Sequence, residues 1–496
     1  MENILKVPRL KNSLQRPLRG IMAGALAGVL IMPTAPALAG PYDNLPDMGE
    51  AIDRDISLAE ELAMGDGFMQ ALKRQATFVT HPLLNHYVQS LGERLAGASS
   101  WNAYPFHFTV IQDDSINAFA APGGHISLFS GLILRTDNEN ELAGVMAHEM
   151  AHVTQRHIAR MIAGSSAMSL TTLAALAAAI LVGGSNPDAA AAAVNLGIAG
   201  AIQQQINFTR DHEYEADRIG IQILSGAGFD PEGMVSFFEK LARQEGDGFY
   251  VHNELLRTHP VTTNRIAEAA NRARAARPSK VFNQPDYAYA KAALAAQLDP
   301  RPLASAGRLE KTTEDRVSLY RRALLLGRAG RHEEALAVLQ GLHDKARDNL
   351  WIGTALAETL QRMKQDDQAI RVLERQLALF PGHPILTMQL GRLWMAKEPE
   401  RAYALLRQAV RENPRHTGLL HAFADAAGRA GRRAEHHEAM GLFFIQERRL
   451  PEARAELETA RALSAGDTIS RQRIDALIDR VETEIIEAQR RKEEHS

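Results

Sequence analysis

Two histidines four residues apart, with a glutamate directly after the first, are the residues of this sequence best suited to do chemistry. They are His148, Glu149 and His152, an H-E-x-x-H motif within VMAHEMAHVTQRHIAR. On an α-helix, positions four apart lie on one face, so both imidazoles can bind one metal ion. Glu149 can then take a proton from a water at that ion. The pattern is typical of zinc hydrolases and predicts one Zn²⁺ per chain. The alternative is an amphipathic helix that happens to carry two histidines.

A water-activating zinc usually has a third protein ligand, and the downstream segment FTRDHEYEADRIGIQILSG offers carboxylates for it. Glu213 and Asp217 are four apart on one face of this predicted helix. We predict that Glu213 binds the metal. We predict that Asp217 accepts a proton from a ligating imidazole and fixes its tautomer. Glu215 lies on a different face and is the alternative ligand. A solvated acidic helix face would also explain all three carboxylates.

A further histidine, His157, follows His152 by five residues. On a continuing helix this spacing rotates His157 by about 140° away from the motif face. The glycine turn and the later histidine of the metzincin spacing are absent. We therefore predict that His157 is a surface or partner-contacting residue rather than a ligand.

The elements that must position these residues are predicted to be mainly helical, with a small β component. Apolar periodicity predicts helices over 58–72, 83–96, 139–163 and 208–226, and alternation predicts a strand over 106–112. Residues 116–134 predict two short strands around Pro122-Gly123-Gly124, followed by a helix start. Such a hairpin leaves an edge that could hold an extended peptide by strand addition, although an ordinary structural hairpin explains it equally well.

The N-terminus predicts export. Residues 1–39 combine five basic residues, an apolar core over 20–32 and Ala37-Leu38-Ala39 before Gly40, the pattern of a cleaved signal peptide. An uncleaved amphipathic leader is the alternative. The chain has no cysteine, which excludes a cysteine nucleophile and a thiolate zinc site and suits a disulfide-free exported protein. A net charge of -3 gives no reason to expect a nucleic-acid partner.

An Ala-rich insert separates the two candidate halves of the metal site. Residues 165–202 contain two uncharged stretches on either side of Pro187. A helical hairpin covering the active site is the interpretation we favour. A membrane-surface or partner-binding insert and a pair of membrane spans are alternatives, the last weakened by the low hydrophobicity of Ala and Gly.

The C-terminal part predicts a repeat domain. Residues 276–316 are rich in Pro, Ala and charge and are predicted to be a linker, with repeats over 317–496. Ala335, Ala369 and Ala402 recur at spacings of 34 and 33 residues, and Pro381 and Pro414 close two units. This period is typical of tetratricopeptide repeats, which form α-solenoids. A charged helix over 474–494 is predicted to cap the solenoid.

Three motifs together carry a family resemblance. HEMAH, EYEAD and THPVTTNRI resemble the HtpX and CAAX-prenyl-protease superfamily of zinc metallopeptidases. With the signal peptide and the repeats, the chain is similar to a periplasmic branch that acts in outer-membrane β-barrel assembly. The resemblance implies that Glu213 is the third zinc ligand and that Asp217 is the family's aspartate. It implies that His259 caps the zinc and holds the enzyme latent.

The resemblance extends to the hairpin. NAFAAPGG resembles the family's edge strand, which implies that substrate pairs along one short segment: Asn117, Ala118, Phe119 and Ala120. We therefore expect a mainly α (α+β) fold, in which a helical zincin peptidase domain over 40–275 with a small β-hairpin or sheet precedes the α-solenoid.

The expected function is that of a periplasmic zinc-dependent endopeptidase and quality-control factor. Expected partners are unfolded or stalled outer-membrane proteins, and the barrel-assembly complex bound through the repeats, with possible peripheral membrane contact. One alternative is a chaperone or scaffold of outer-membrane assembly with a mostly latent protease site. Another is a metal-binding module without catalysis.

Overall fold

The structure is a computed structural model of the 496-residue chain. It describes residues 56–163, 210–246, 255–256, 259–276, 278, 285–312 and 315–494. The predicted signal peptide (1–39) and the predicted Ala-rich hairpin (165–202) lie outside the described residues.

The N-terminal part builds three strands and a set of helices around one apolar core. The strands are β1 (His107–Ile111), β2 (Ala118–Ala121) and β3 (His125–Phe129). The helices are α1 (Leu58–Gln75), α2 (Pro82–Ala96), α3 (Ser130–Arg135), α4 (Glu139–Thr154), α5 (His157–Ala163), α6 (Arg210–Gly226), α7 (Glu232–Gly246) and α8 (Thr263–Ala275). The expected mainly α fold with a small sheet is confirmed.

The C-terminal part is a run of antiparallel helices. They are α9 (Asp286–Leu298), α10 (Pro302–Thr312), α11 (Arg316–Arg328), α12 (His332–Lys345), α13 (Leu350–Arg362), α14 (Asp366–Leu379), α15 (Pro384–Lys397), α16 (Pro399–Glu412), α17 (Thr417–Arg429), α18 (Arg433–Gln446), α19 (Leu450–Leu463) and α20 (Thr468–Glu494). Consecutive helices pack on one another, as expected of a tetratricopeptide solenoid. The repeat alanines Ala335, Ala369 and Ala402 are fully buried where helices pack.

The sheet places its edge strand β2 beside the motif helix. The strand order is β1-β3-β2, with β1 parallel and β2 antiparallel to β3. The Phe129 N–H donates to the Asn117 carbonyl over 3.0 Å. Hydrogen-bonded pairs alternate along an antiparallel ladder, so the backbone groups of Ala118 and Ala120 point outward. Strand β2 packs against α4.

The motif helix is shorter than predicted. The prediction ran one helix over 139–163, but α4 ends at Thr154 and α5 begins at His157. Arg156 breaks the helix with φ 52°, in the left-handed region that non-glycine residues rarely adopt. Its buried guanidinium donates to Glu61 Oε1 over 3.0 Å and to the Ile56 carbonyl over 2.5 Å. These bonds to the segment before and within α1 hold the break in place.

The predicted linker is helical and packed. Residues 276–316 contain α9 and α10, and Tyr287 and Leu294 of α9 are buried. The Tyr287 hydroxyl donates to the Thr136 carbonyl over 2.6 Å. The Ala-rich sequence of α9 strongly favours a helix, and this outweighs the effect of the Pro and charged residues around it. The position of a domain boundary here stays a prediction.

The solenoid contacts the N-terminal part at two separate places. Trp351 is buried against α2, its ring centroid 6.3 Å from that of Tyr87. Farther along the chain, Arg448 Nε lies 2.7 Å from Asp66 Oδ2 of α1. None of the described helices is long and apolar enough to cross a membrane.

Three histidines meet where α2 faces the solenoid. The rings of His86 and His383 lie 4.7 Å apart, edge to face. Burial, reinforced by the charge of His416, lowers the pKa of His86 to about 4. Burial, reinforced by His86 and His416, lowers the pKa of His383 to about 3. Burial also lowers the pKa of His416, opposed by Glu93. The folded interface therefore holds these rings neutral.

This cluster predicts acid sensitivity. The unfolded chain protonates His86 and His383 below about pH 6.5, but the folded chain resists until about pH 4, so stability falls as the pH drops through that window. At pH 5 each of these two rings costs about 2 kcal/mol. We expect the double variant His86→Phe/His383→Phe to show a smaller fall in Tm from pH 7.5 to 5 than the unsubstituted chain. His421→Phe, on a half-exposed solenoid site, should leave the fall unchanged. An equal fall in the double variant would contradict the prediction.

Candidate metal centre

Helices α4 and α6 pack closely enough to bring their polar faces together. Gly220 of α6 lies against the α4 backbone, where an added Cβ would sit 3.2 Å from Ala147 C and His148 N. This close approach places Glu213 of α6 opposite His148 and His152 of α4. All three side chains are buried.

Four potential ligand atoms converge in this space. His148, His152, Glu213 and His259 each offer one atom, and these atoms all lie within 4.8 Å of one another. His148 Nε2 is 3.1 Å from His152 Nε2, 3.4 Å from His259 Nδ1 and 3.6 Å from Glu213 Oε2. Glu213 Oε1 is 3.5 Å from His152 Nε2 and 2.9 Å from His259 Nδ1.

This donor set suits a tetrahedral metal ion. Zinc–ligand bonds of about 2.0–2.1 Å imply ligand atoms about 3.3 Å apart at the corners of a tetrahedron. The five distances scatter around that value. The donors are nitrogen and carboxylate oxygen, which Zn²⁺ accepts, with no thiolate. The residues present therefore fit the ion that the sequence predicts.

Asp217 occupies the far side of the first ligand. Its Oδ1 lies 3.0 Å from His148 Nδ1, which leaves Nε2 facing the centre. Burial acts to lower the pKa of His148, but hydrogen bonds to Asp217 and Glu213 and their charges overcome it and raise that pKa to about 10. Burial acts to raise the pKa of Glu213, but His259 and His148 hold it well below its usual range. The imidazole of His148 and the carboxylates around it therefore stabilise each other's charged forms.

Arg265 completes the charge balance, and sequence reasoning missed it. Its Nε and Nη2 donate to the two oxygens of Asp217, each over 2.8 Å, and its Nη1 lies 2.8 Å from Glu213 Oε2. It is buried, and Nη1 also donates to the Pro260 carbonyl over 2.7 Å. Arg265 belongs to the THPVTTNRI motif, but it is far from Asp217 in sequence, so residue spacing does not predict the ion pair between them.

Glu149 is placed as a base would be. It is 1% exposed, and within the described residues neither carboxylate oxygen has a hydrogen-bond partner. His259 Nε2 lies 3.6 Å from its Oε1. Burying a carboxylate without hydrogen bonds costs free energy, so such groups are rare in folded proteins. Where one occurs, a catalytic role or the binding of a water or ion can explain it.

The prediction that His157 lies on the surface was wrong. The residue is fully buried, and its Nδ1 lies 2.8 Å from Nδ1 of His152. The prediction assumed a continuing helix, whereas the break at Arg156 turns α5 back beneath the motif. Glu215, the alternative ligand, lies instead 3.1 Å from His157 Nε2 and accepts a hydrogen bond from Arg160 over 2.8 Å.

The segment that carries His259 is tied to the sheet edge. The His259 N–H donates to the Leu255 carbonyl over 2.7 Å, and the Leu255 N–H donates to the Ile116 carbonyl over 3.0 Å. Ile116 directly precedes the predicted substrate strand. Within that strand Asn117, Ala118 and Phe119 are buried, and Ala120 is partly buried. The loop histidine and the sheet edge thus form one connected unit.

Comparisons with known proteins agree with this site. Residues 82–273 match the model of peptidase family M48, and residues 328–390 match a tetratricopeptide-repeat model. The beta-barrel assembly-enhancing protease of Escherichia coli (strain K12) is 33% identical over 93% of this chain and 96% of its own length. The putative beta-barrel assembly-enhancing protease of Vibrio cholerae is 33% identical over 90% and 94%. The mitochondrial metalloendopeptidase OMA1 of Schizosaccharomyces pombe is 32% identical over 36% of this chain and 50% of that protein.

Arg265 provides a stability test. Arg265→Met would leave the buried carboxylates of Asp217 and Glu213 without their cation, which typically costs about 3–5 kcal/mol. We expect urea unfolding of the metal-free protein to show a loss of that order. Arg272→Met, on the same helix with a half-exposed partner in Glu268, should change stability by less than about 1 kcal/mol. Equal, small losses in both variants would contradict the proposed charge balance.

Proposed function

This chain belongs to the family of beta-barrel assembly-enhancing proteases and contains a peptidase family M48 domain, and from that premise we propose that it is a zinc-dependent endopeptidase of the periplasm. Its proposed substrates are unfolded or stalled outer-membrane β-barrel proteins. The observation that carries the proposal is the buried cluster of three histidines and one glutamate with Glu149 beside it.

His148, His152 and Glu213 would hold the ion. Zinc bound there supplies Lewis acidity to a water and to the scissile carbonyl. Glu149 accepts the proton of the attacking water and delivers it to the leaving amine. Asp217 keeps the Nδ1 of His148 engaged so that Nε2 faces the ion. Arg265 neutralises Asp217 and orients it.

The edge of β2 is the proposed binding place for the substrate backbone. The outward N–H and C=O groups of Ala118 and Ala120 can pair with an extended chain by strand addition. Asn117 and Phe119 direct their backbone groups to β3 and hold the strand in place. Backbone pairing is independent of side-chain identity, which suits an enzyme that must accept many unfolded clients.

His259 is the proposed brake. A catalytic zinc site keeps one position open for water. His259 Nδ1 lies among the proposed ligand atoms, 3.4 Å from His148 Nε2 and 2.9 Å from Glu213 Oε1, and would fill that position. The loop is held by Leu255 at the Ile116 carbonyl, next to the groups that an incoming strand would use. Substrate pairing and removal of the cap would therefore be linked.

The repeats are the proposed docking surface for clients and for the barrel-assembly complex, because stacked helix pairs present extended binding faces. The alternative is a scaffold or chaperone of outer-membrane assembly with a mostly latent protease site, which the His259 cap favours. A barrel-assembly assay in cells separates the two. If Glu149→Gln supports assembly as well as the unsubstituted chain does, the scaffold role dominates.

The proposed base has a direct test. Glu149→Gln keeps the size of the side chain but removes proton acceptance, so we expect cleavage of an unfolded casein-like substrate to fall by about 10²–10⁴-fold. Zinc content, measured by mass spectrometry, should stay at one ion per chain. Cleavage at an undiminished rate with zinc bound would refute the role of Glu149.

The proposed inhibitory role of His259 predicts a change of cleavage rate in the opposite direction. His259→Ala frees the fourth position and removes the conformational cost of opening, so the same substrate should be cleaved faster, by roughly 5-fold or more. The His421→Ala variant serves as a control away from the site. An unchanged or lower rate for a folded His259→Ala protein would speak against latency.

A further inference from the structure

The break at Arg156 places a second histidine pair behind the proposed metal site. Because α5 restarts at His157 directly after the left-handed residue, the His157 ring turns back under α4 instead of following its surface. It is fully buried, and its ring centroid lies 4.9 Å from that of His152 at an angle of 72°.

The proton positions in this pair follow from its geometry. A contact of 2.8 Å between two Nδ1 atoms needs one donor and one acceptor. If His152 presents its Nε2 to the metal, its Nδ1 carries the proton and donates. His157 then accepts at Nδ1 and carries its own proton at Nε2. That atom lies 3.1 Å from Glu215 Oε2, so the remaining proton also has an acceptor.

We infer that His157 is a positioning residue that fixes the tautomer and ring plane of His152, and that Glu215 orients His157 in turn. The inference rests on the proposed function, since it assumes that His152 binds the metal. It assigns to His152 the support that Asp217 gives to His148, with a neutral ring in place of a carboxylate.

The neighbours of His157 hold its ring in one plane. His212 stacks on it, with ring centroids 4.4 Å apart and an angle of 14°. Arg160 Nη2 lies 2.8 Å from the same Glu215 oxygen and so fixes that carboxylate. Both ring nitrogens of His157 face other side chains, which rules the ring out as a fourth metal ligand in this arrangement.

The choice of partner has a chemical consequence. A carboxylate accepting from a ligating imidazole adds negative charge to it, whereas a neutral imidazole orients the ligand without placing a full charge next to it. The two ligands of one motif would thus differ in basicity. His148, backed by Asp217 and Arg265, would be the more basic of the two.

The test compares variants by their affinity for zinc rather than by activity. His157→Phe keeps a ring but removes the acceptor, and outer partners of metal ligands typically contribute 10–100-fold to metal affinity. We expect the Kd for zinc, measured on the full chain by competition with a chelator, to rise by about that factor. His157→Asn places an amide oxygen near the position of Nδ1 and should restore the Kd to within about 3-fold.

Two further measurements keep the outcome decisive. The visible spectrum of the Co²⁺-loaded protein should shift in His157→Phe and return in His157→Asn, which a general loss of packing would not produce. If His157→Phe fails to fold, Glu215→Gln replaces it, with an expected smaller loss of zinc affinity. His421→Phe, at the half-exposed solenoid site, is the control, with unchanged affinity.

Equal zinc affinity and identical Co²⁺ spectra in all variants would overturn the role of His157 while leaving the proposed peptidase intact. A wild-type chain that binds no zinc would instead overturn the proposed function, and this inference with it.

Discussion

Three carboxylates, those of Glu149, Glu213 and Asp217, are buried within one small volume between α4 and α6. Charges out of water are tolerated only when each is paired, hydrogen-bonded or bound to a metal. Asp217 is paired with Arg265 and His148, and Glu213 faces Arg265 and three histidines. Among the residues that the structure describes, Glu149 has no such pairing beyond His259 at 3.6 Å. The rest of the N-terminal part can be understood as the frame that holds this charge cluster closed.

That frame depends on close helix contacts. Gly220 lets α6 reach the backbone of α4, and Gly144 lets α7 approach α4, where an added Cβ would meet the backbone of Met234 at 2.9 Å. The α4 helix is consequently buried on nearly all sides, and from Leu142 to Val153 its residues outside the motif are apolar or glycine. A shift of one helix would separate the ligand atoms and leave their charges uncompensated, so packing and electrostatics stabilise the same geometry.

The motif spacing sufficed to predict that His148 and His152 share a face and that Glu213 and Asp217 share another, because helical periodicity is local. The side chain of Asn138 accepts from the Glu141 N–H over 3.1 Å and caps the start of α4, which is likewise a local interaction. The position of His157 was predicted wrongly because the left-handed conformation of Arg156 has no signature in the sequence. That conformation is held by a hydrogen bond from the Arg156 guanidinium to Glu61, 95 residues away. Arg265 and the Leu255 bond to Ile116 depend on tertiary contacts that no spacing encodes. The role of His259 was predicted only from the family resemblance, because a lone histidine before proline is usually an ordinary loop residue.

The hydrogen bond from Leu255 to Ile116 also affects the apparent affinity of any inhibitor that binds along β2. A peptidomimetic that lies along β2 competes with the protein's own loop, so its apparent affinity equals its intrinsic affinity multiplied by the fraction of molecules with an open edge. A compound ranked weak on the closed form could be strong on the open one. Screening against a variant with the loop released would rank compounds by their contacts with the strand alone, and the ratio of the apparent to the intrinsic affinity would give the open fraction directly.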